Sequence, residues 1–361
     1  MDIPRSKFLK SLLTPASLFY GMAAATKLSL YQKGMLASYK AEVPVISVGN
    51  ITVGGTGKTP ITIDLANRLS KEGLKVAILS RGYKRKSDAP HTIVSDGKNI
   101  LSSCPEAGDE PYLMALSCPG SIVISGADRS GSAKLAQEKY GCDIILLDDG
   151  FQHLKLKRDH NIMLVDFTDN IRDELPVPAG RLREPLSGLN RATAFVVTKV
   201  PRVDERERLE QIRNFLKKHN PRADFFTVRF EPKELRSQKD NKPLQYLEGK
   251  SVVALSAIAR PEAFINSLEE FNVRLVSKLI FPDHHWFTHS DMNTIEKTVQ
   301  STDADLIITT EKDLVRLNLQ ENLNQKTFAI VLKTEWLDGA PDFARPPLKT
   351  STGKDSSKNG A

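Results

Sequence analysis

The sequence predicts an α/β protein built on a doubly wound, mostly parallel sheet, with a second, smaller α/β unit after it and an amphipathic helix ahead of both. Three observations carry this. Short, largely apolar runs recur at residues 43–48, 75–80, 121–125, 142–147, 161–165 and 192–197, as strands buried on both faces require. Helix-length segments separate them, the alternation that parallel crossovers need. A shorter alternation at residues 251–255, 273–281 and 304–309 follows a polar stretch. The expected divisions are an N-terminal segment 1–40, a core domain 41–231, a smaller α/β domain 232–335 and a disordered tail 336–361 rich in Pro, Ser, Lys and Gly.

The net charge of +7 sits at the ends of the chain. Residues 1–41 carry +5 and residues 341–361 carry +2, which leaves the body near zero. A body without basic excess is not a polyanion-binding surface, so no nucleic-acid partner is expected. Cys104, Cys118 and Cys142 have neither the number nor the spacing of a disulfide framework or a zinc site, and a reducing cytosol is the simplest setting.

In the N-terminal segment, Phe8, Leu9, Leu12, Leu13, Ala16, Phe19, Tyr20 and Ala23 fall on one helical face and Lys7, Lys10, Thr14 and Ser17 on the other. Thr14-Pro15 reads as a cap followed by a first helical residue, which predicts two short helices. The longest uncharged run here, residues 11–26, contains Pro15 and is too short to span a membrane. A basic amphipathic segment fits a helix lying on an anionic membrane surface. The alternative is a helix packed on the body's own core.

After the first strand comes Gly49-Asn50-Ile51-Thr52-Val53-Gly54-Gly55-Thr56-Gly57-Lys58-Thr59-Pro60. Gly54, Gly55 and Gly57 let successive N–H groups face one point, and a helix starting near Gly57 aims its positive end there. Lys58 adds a charge for the β and γ phosphates, Thr59 a hydroxyl for Mg²⁺, and Pro60 is tolerated in a first turn. Thr56 completes the loop. This is a nucleotide-binding P-loop with Thr52 at its first glycine position.

Candidate partners lie at later strand ends, where α/β sheets bind ligands. Arg81-Gly82-Tyr83 ends the second strand and Asp128-Arg129 ends the strand at 121–125. Gly108-Asp109-Glu110-Pro111 opens a helix, where Asp109 taken alone fits a cap. The strand at 142–147 runs into Asp148-Asp149-Gly150-Phe151-Gln152-His153, and two adjacent carboxylates after an apolar strand suit a second Mg²⁺ element. Residues 175–186 resist helix and strand alike. In Phe281-Pro282-Asp283-His284-His285, the adjacent histidines face different ways and do not chelate one metal together, and His284 taken alone reads as structural. Thr310-Glu311-Lys312-Asp313 fits a capping box, with its role open.

Together these residues, with Leu182-Arg183-Glu184-Pro185, Thr198-Lys199 and Asp283-His284, resemble the tetraacyldisaccharide 4′-kinases of lipid A synthesis over residues 5–335. Asp-Asp-Gly-Phe-Gln-His is the specific part. The chain departs from the family pattern at Ser256-Ala257-Ile258-Ala259-Arg260, where glycines are usual.

The resemblance implies transfer of the γ-phosphate of ATP to the 4′-hydroxyl of tetraacyldisaccharide 1-phosphate, forming lipid IVA. It places a peripheral protein, expected as a monomer, at the cytoplasmic face of the inner membrane. It implies that Asp109 is the general base paired with His284, that Lys58 and the loop hold the phosphates, and that Thr59, Glu110, Asp148 and Asp149 serve Mg²⁺. It puts Arg81, Tyr83, Arg129, Gln152, His153, Arg183 and Glu184 around the reacting groups.

Two other classes fit the motifs: a P-loop kinase or synthetase for a soluble acceptor, and a regulatory or metal-delivery GTPase. Thr198-Lys199 resembles a guanine-reading motif, but the Asp that such a motif needs is Pro201.

Overall fold

Strands covered on both faces need apolar side chains at every position, and the central strands here are buried along their whole length. The computed structural model describes residues 7–342. Its strands are β1 Val45–Gly49, β2 Val76–Ser80, β3 Thr92–Asp96, β4 Ile122–Ser125, β5 Ile144–Asp148, β6 His160–Asp166 and β7 Ala194–Thr198. They continue as β8 Asp224–Arg236, β9 Asn241–Lys242, β10 Ser251–Ser256, β11 Arg274–Ile280, β12 Leu306–Thr310 and β13 Thr327–Trp336. The first helices are α1 Lys7–Gln32, α2 Lys58–Lys71, α3 Cys104–Ala107, α4 Asp109–Ser117 and α5 Arg129–Tyr140. The others are α6 Arg206–His219, α7 Pro261–Leu268, α8 His289–Thr302, α9 Glu311–Leu314 and α10 Glu321–Asn324.

The strand order is β11-β10-β12-β13-β8-β7-β6-β1-β5-β2-β4-β3, with β9 paired to β8. Neighbours are parallel except β3 with β4, β13 with β8 and β9 with β8. β1 lies between β5 and β6, and Val48 stands opposite Asp148, so the phosphate loop and the acidic strand end leave the sheet side by side. Ile46, Val48, Ile61, Leu65, Met114 and Val196 share one buried cluster that fastens α2 and α4 to this part of the sheet.

Residues 231–236, which read as a polar connector, continue β8 as a single strand. Pairing with β13 overrides their weak strand preference. β7 pairs β8 only at Asp224–Thr227, and β12 pairs β13 only at Thr327–Ile330. Between those limits, from Val228 opposite Trp336 to Glu234 opposite Val331, the sheet narrows to a two-stranded ribbon. Only the first residues of the expected tail fall among those described. Leu337 N donates to Thr227 O at 3.0 Å and the Thr227 hydroxyl to Asp338 at 2.5 Å, and residues 343–361 lie outside the described residues.

Two expectations for the N-terminal segment are corrected. It is one helix, α1, which runs through Pro15. The Thr14 hydroxyl donates back to Lys10 O at 2.8 Å and caps nothing, while the Leu, Ala and Met residues that follow carry the helix past one missing N–H. Ser17, placed on the polar face, is buried together with Gly21, against residues 176–185. The small face therefore packs on the body, and the apolar face turns outward: Leu12 is 66%, Phe19 71% and Met22 62% exposed.

Candidate active site

The phosphate loop is fixed from behind. Arg181 donates to Val53 O at 3.2 and 3.1 Å, Lys199 to Gly55 O at 2.6 Å, and the Thr198 hydroxyl to Thr56 O at 2.9 Å. In a trans peptide the next N–H points the opposite way, so these anchors turn the N–H groups of Gly54 and Gly57 away from the frame that holds the preceding carbonyls, while Thr56 N donates within the loop to Gly54 O at 3.2 Å. Gly57, the cap of α2, has φ +84°, and a Cβ there would lie 2.5 Å from the Phe230 ring. Thr52 fits at the first glycine position because the chain there bridges Leu182, with Asn50 Nδ2 donating to Thr52 O at 2.8 Å. Lys58 reaches Asn50 Oδ1 at 3.4 Å and Asp149 at 3.6 Å, and Thr59 is buried in the first turn of α2.

Asp148 and Asp149 part company at the end of β5. Asp149 adopts φ 48°, which turns its side chain to Arg183 through two bonds of 2.9 and 2.8 Å. Burial works against its charge, but Lys58 and Arg183 hold its pKa down to about 2. Burial pushes Asp148 up to about 7, and Glu110 and Asp149 add to the rise. Asp148 Oδ2 accepts from Ser80 at 3.0 Å, while Oδ1 is buried without a hydrogen-bond partner.

A buried carboxylate oxygen with no donor, beside two other carboxylates, fits a divalent cation. Among the described residues no three His, Cys, Asp or Glu side chains converge as a ready-made metal cage. That suits Mg²⁺, which draws most of its ligands from water and phosphate.

Across the cleft, His284 stands 2.7 Å from Asp109 through Nδ1. Asp109 is the first residue of α4, with Gly108 as the cap, so its carboxylate is not spent on capping. Burial raises its pKa, but the His284 bond and charge, Lys312 and Arg316 outweigh this and lower it. An ionised carboxylate at that distance requires the proton on Nδ1. Asp109 Oδ1 meanwhile accepts from Glu110 N at 2.9 Å. His284 sits at φ 55°, an uncommon conformation for a non-glycine residue and one that clusters at functional sites. Its N–H donates to Ala257 O at 3.1 Å, and the edge of the Tyr83 ring packs 5.2 Å from its own. His285 faces elsewhere, to Asp291 at 2.9 Å.

The other expected residues occupy separate environments. Glu110 is ion-paired with Lys312 and lies close enough to Asp148 to raise its pKa. Glu184 is held by Arg191 at 2.8 and 3.0 Å and takes Gln152 Nε2 at 2.7 Å, so it orients Gln152 from a buried position. Arg129 is buried with its Nε unpartnered, near Asp148 and Asp149. Burial, Arg129 and Arg158 lower His153 to about 4, which leaves it neutral. Arg81 is exposed at the end of β2.

Several residues were given no role by the sequence. Lys312 holds Glu110. Arg316, almost fully buried, is ion-paired with Asp313, approaches Asp109 at 3.6 Å and donates to Ala257 O at 3.1 Å and His285 O at 3.0 Å. Thr310 does cap α9, its hydroxyl accepting from Asp313 N at 3.2 Å. Lys312 and Lys199 both follow strand ends, the one signal that marked them.

The chain matches the family model described as tetraacyldisaccharide-1-P 4′-kinase over residues 9–345. The tetraacyldisaccharide 4′-kinase of Desulfatibacillum aliphaticivorans is 39% identical over 346 residues, covering 94% of this chain and 93% of the relative. That of Desulfotalea psychrophila is 41% identical over 315 residues, covering 87% and 90%. The crystal structure of the "apo" form of LpxK from Aquifex aeolicus in complex with ATP aligns with a TM-score of 0.72 at 36% identity, covering 91% of this chain and 95% of that one. With this site, this fold and matches that run nearly end to end, the chain belongs to the tetraacyldisaccharide-1-P 4′-kinase family.

Proposed function

We propose that the chain transfers the γ-phosphate of ATP to the 4′-hydroxyl of tetraacyldisaccharide 1-phosphate, yielding lipid IVA. Membership of the family supports the reaction, and the Asp109–His284 pair facing a P-loop with its acidic strand end is the observation that carries it. Lys58 and the loop amides bind the phosphates, and Thr59 with Asp148 would hold Mg²⁺, Asp149 and Glu110 lying beside them. The ion would neutralise phosphate charge. Asp109, in its dyad with His284, takes the proton from the sugar hydroxyl as the new O–P bond forms. Arg183, Arg129 and Gln152 line the approach, with Tyr83 against the dyad and Arg81 at its margin.

One observation favours a second assignment inside the dyad. Both Asp109 oxygens are engaged, which leaves His284 Nε2, 3.9 Å from the Asp283 carboxylate, as the end of the pair that can accept the hydroxyl proton, with Asp109 fixing its tautomer.

The outward apolar face of α1 supports peripheral binding to an anionic membrane, and the lipid acceptor supports the cytoplasmic face of the inner membrane. No helix among the described residues is long and apolar enough to cross a membrane. We also treat the chain as a monomer whose two α/β units meet at the β8–β13 ribbon.

Transfer of ³²P from ATP to a purified lipid A disaccharide 1-phosphate in mixed micelles tests the reading. We expect acceptor-dependent transfer with ATP preferred over GTP. Equal activity on a soluble sugar without detergent, or slow GTP hydrolysis indifferent to acceptor, would overturn it.

A further inference from the structure

Beside the phosphate loop, Asp166 and Asp169 have one cation more than two carboxylates need, and a third carboxylate, Glu174, takes the Arg181 backbone N–H at 3.0 Å. Asp166 is paired with Lys199 at 2.6 Å, and Asp169 with Arg181 through bonds of 2.7 and 2.8 Å. Lys199 and Arg181 also grip the Gly55 and Val53 carbonyls, so these four side chains form a complete supporting frame. Arg260 is the surplus. It comes from the other half of the chain, at the cap of α7, and reaches Asp166 at 3.2 Å, Asp169 at 2.7 Å and the Thr168 hydroxyl at 3.3 Å. Removing it would leave each buried carboxylate with its own cation, so neutralisation of buried charge does not account for it.

Its position does. A Cβ built on Gly54 would lie 4.0 Å from Arg260 Nη2, which puts the guanidinium against the loop whose amides form the anion cradle. Arg181, also beside Gly54, is committed through all three nitrogens to Asp169 and Val53 O. Arg260 makes only single, exchangeable contacts and its side chain is 37% exposed. The turn that carries it also holds His284, the partner of Asp109, because Ala257 O accepts from its backbone N–H. His284 and the guanidinium therefore approach the loop as one piece, while Asp109 belongs to the other half of the chain.

We propose that Arg260 is a catalytic residue: a guanidinium delivered across the cleft that exchanges Asp166 and Asp169 for the terminal phosphate of ATP. This rests on the kinase reading above. The planar fork matches phosphate oxygens, and phosphoryl transfer gains from an arginine placed on the charge that spreads over the moving group. Asp166 and Asp169 act as its resting place, holding it near the loop without a large reorientation.

The test is calorimetric titration of ATP and ADP, each with Mg²⁺, into wild type, Arg260→Ala and Arg260→Lys, together with turnover on the lipid acceptor. In Arg260→Ala, ATP affinity should fall ~10–100-fold, the scale of one hydrogen-bonded charge pair. ADP affinity should stay within about twofold, since no terminal phosphate is there to be held. Arg260→Lys should recover part of the ATP affinity and little of the turnover, since it keeps the charge without the fork. If Arg260→Ala lowers the melting temperature, Arg260→Gln serves the same comparison with more of the stem retained. Equal weakening of ATP and ADP would make Arg260 a loop support and overturn the proposal, as would unchanged ATP affinity and turnover. A wild type that binds ATP but phosphorylates no lipid acceptor would overturn the kinase reading and this proposal with it.

Discussion

Asp148 and Asp149 are neighbours in the chain and electrostatic opposites in the fold. Lys58 and Arg183 fix Asp149 as an ion with a pKa of about 2, while burial, Glu110 and Asp149 lift Asp148 to about 7 and one Asp148 oxygen lacks a partner. The two carboxylates therefore do different work. On the proposed reading Asp148 would take the cation, and Asp149 already has Lys58 and Arg183.

Asp148→Asn should raise the Mg²⁺ concentration for half-maximal activity by ~10-fold or more, the scale of losing a ligand or its close support. Asp149→Asn should disturb Lys58 and Arg183 and raise the KM for ATP, with a smaller change in Mg²⁺ requirement. Magnesium titrations of the two variants decide this, and identical curves would remove the distinction.

Asp109→Ala should lower kcat by ~10²–10⁴-fold, and His284→Ala by a comparable factor, on the usual scale of general-base loss. Because the residues act as one unit, the double variant should be little worse than the more damaged single one. Multiplying losses would dissolve the dyad.

Lys58→Ala should cost ~10²–10³-fold in kcat, the scale of removing one preorganised donor from developing charge. The loss should persist at saturating ATP. A defect that saturating ATP abolishes would place Lys58 in ground-state binding only.

The outward face of α1 predicts a partition experiment. Burying Leu12 and Phe19 in an interface is worth ~1.5–3 kcal/mol each, so Leu12→Glu with Phe19→Glu should reduce partition onto anionic vesicles by ~10²-fold or more. Micelle activity at saturating acceptor should fall far less. Undiminished sedimentation with vesicles would leave α1 without this role.

Gly57→Ala should abolish nucleotide binding in a protein that still folds, because alanine at φ +84° is strained and its Cβ would meet the Phe230 ring at 2.5 Å. Adding Phe230→Ala removes the clash but not the strain, so rescue should be partial. Calorimetry on both variants would falsify this account if Gly57→Ala bound ATP normally.

The phosphate loop, the apolar strands and the acidic end of β5 were legible because each is written in adjacent residues. The Asp109–His284 pair was not, since 175 positions separate its members and only family likeness joined them. Lys312, Arg316 and Arg260 escaped for the same reason: an isolated charged residue has no period, and its partner is chosen by how the two halves of the chain meet. Pro15 and Glu231-Pro232-Lys233 misled in the opposite direction. Local preference argued for a break at both places, and a long helix and a strand ladder overrode it.

The stretch where β8 and β13 stand alone has a mechanical meaning. A broad sheet resists torsion, and a two-stranded ribbon twists more readily, so residues 228–234 and 331–336 are where the sheet itself opposes twisting least, and side chains such as Trp336 on Asp64 and Arg229 on Val200 O brace it there. Strain there is shared along a ladder of hydrogen bonds instead of falling on one pivot residue.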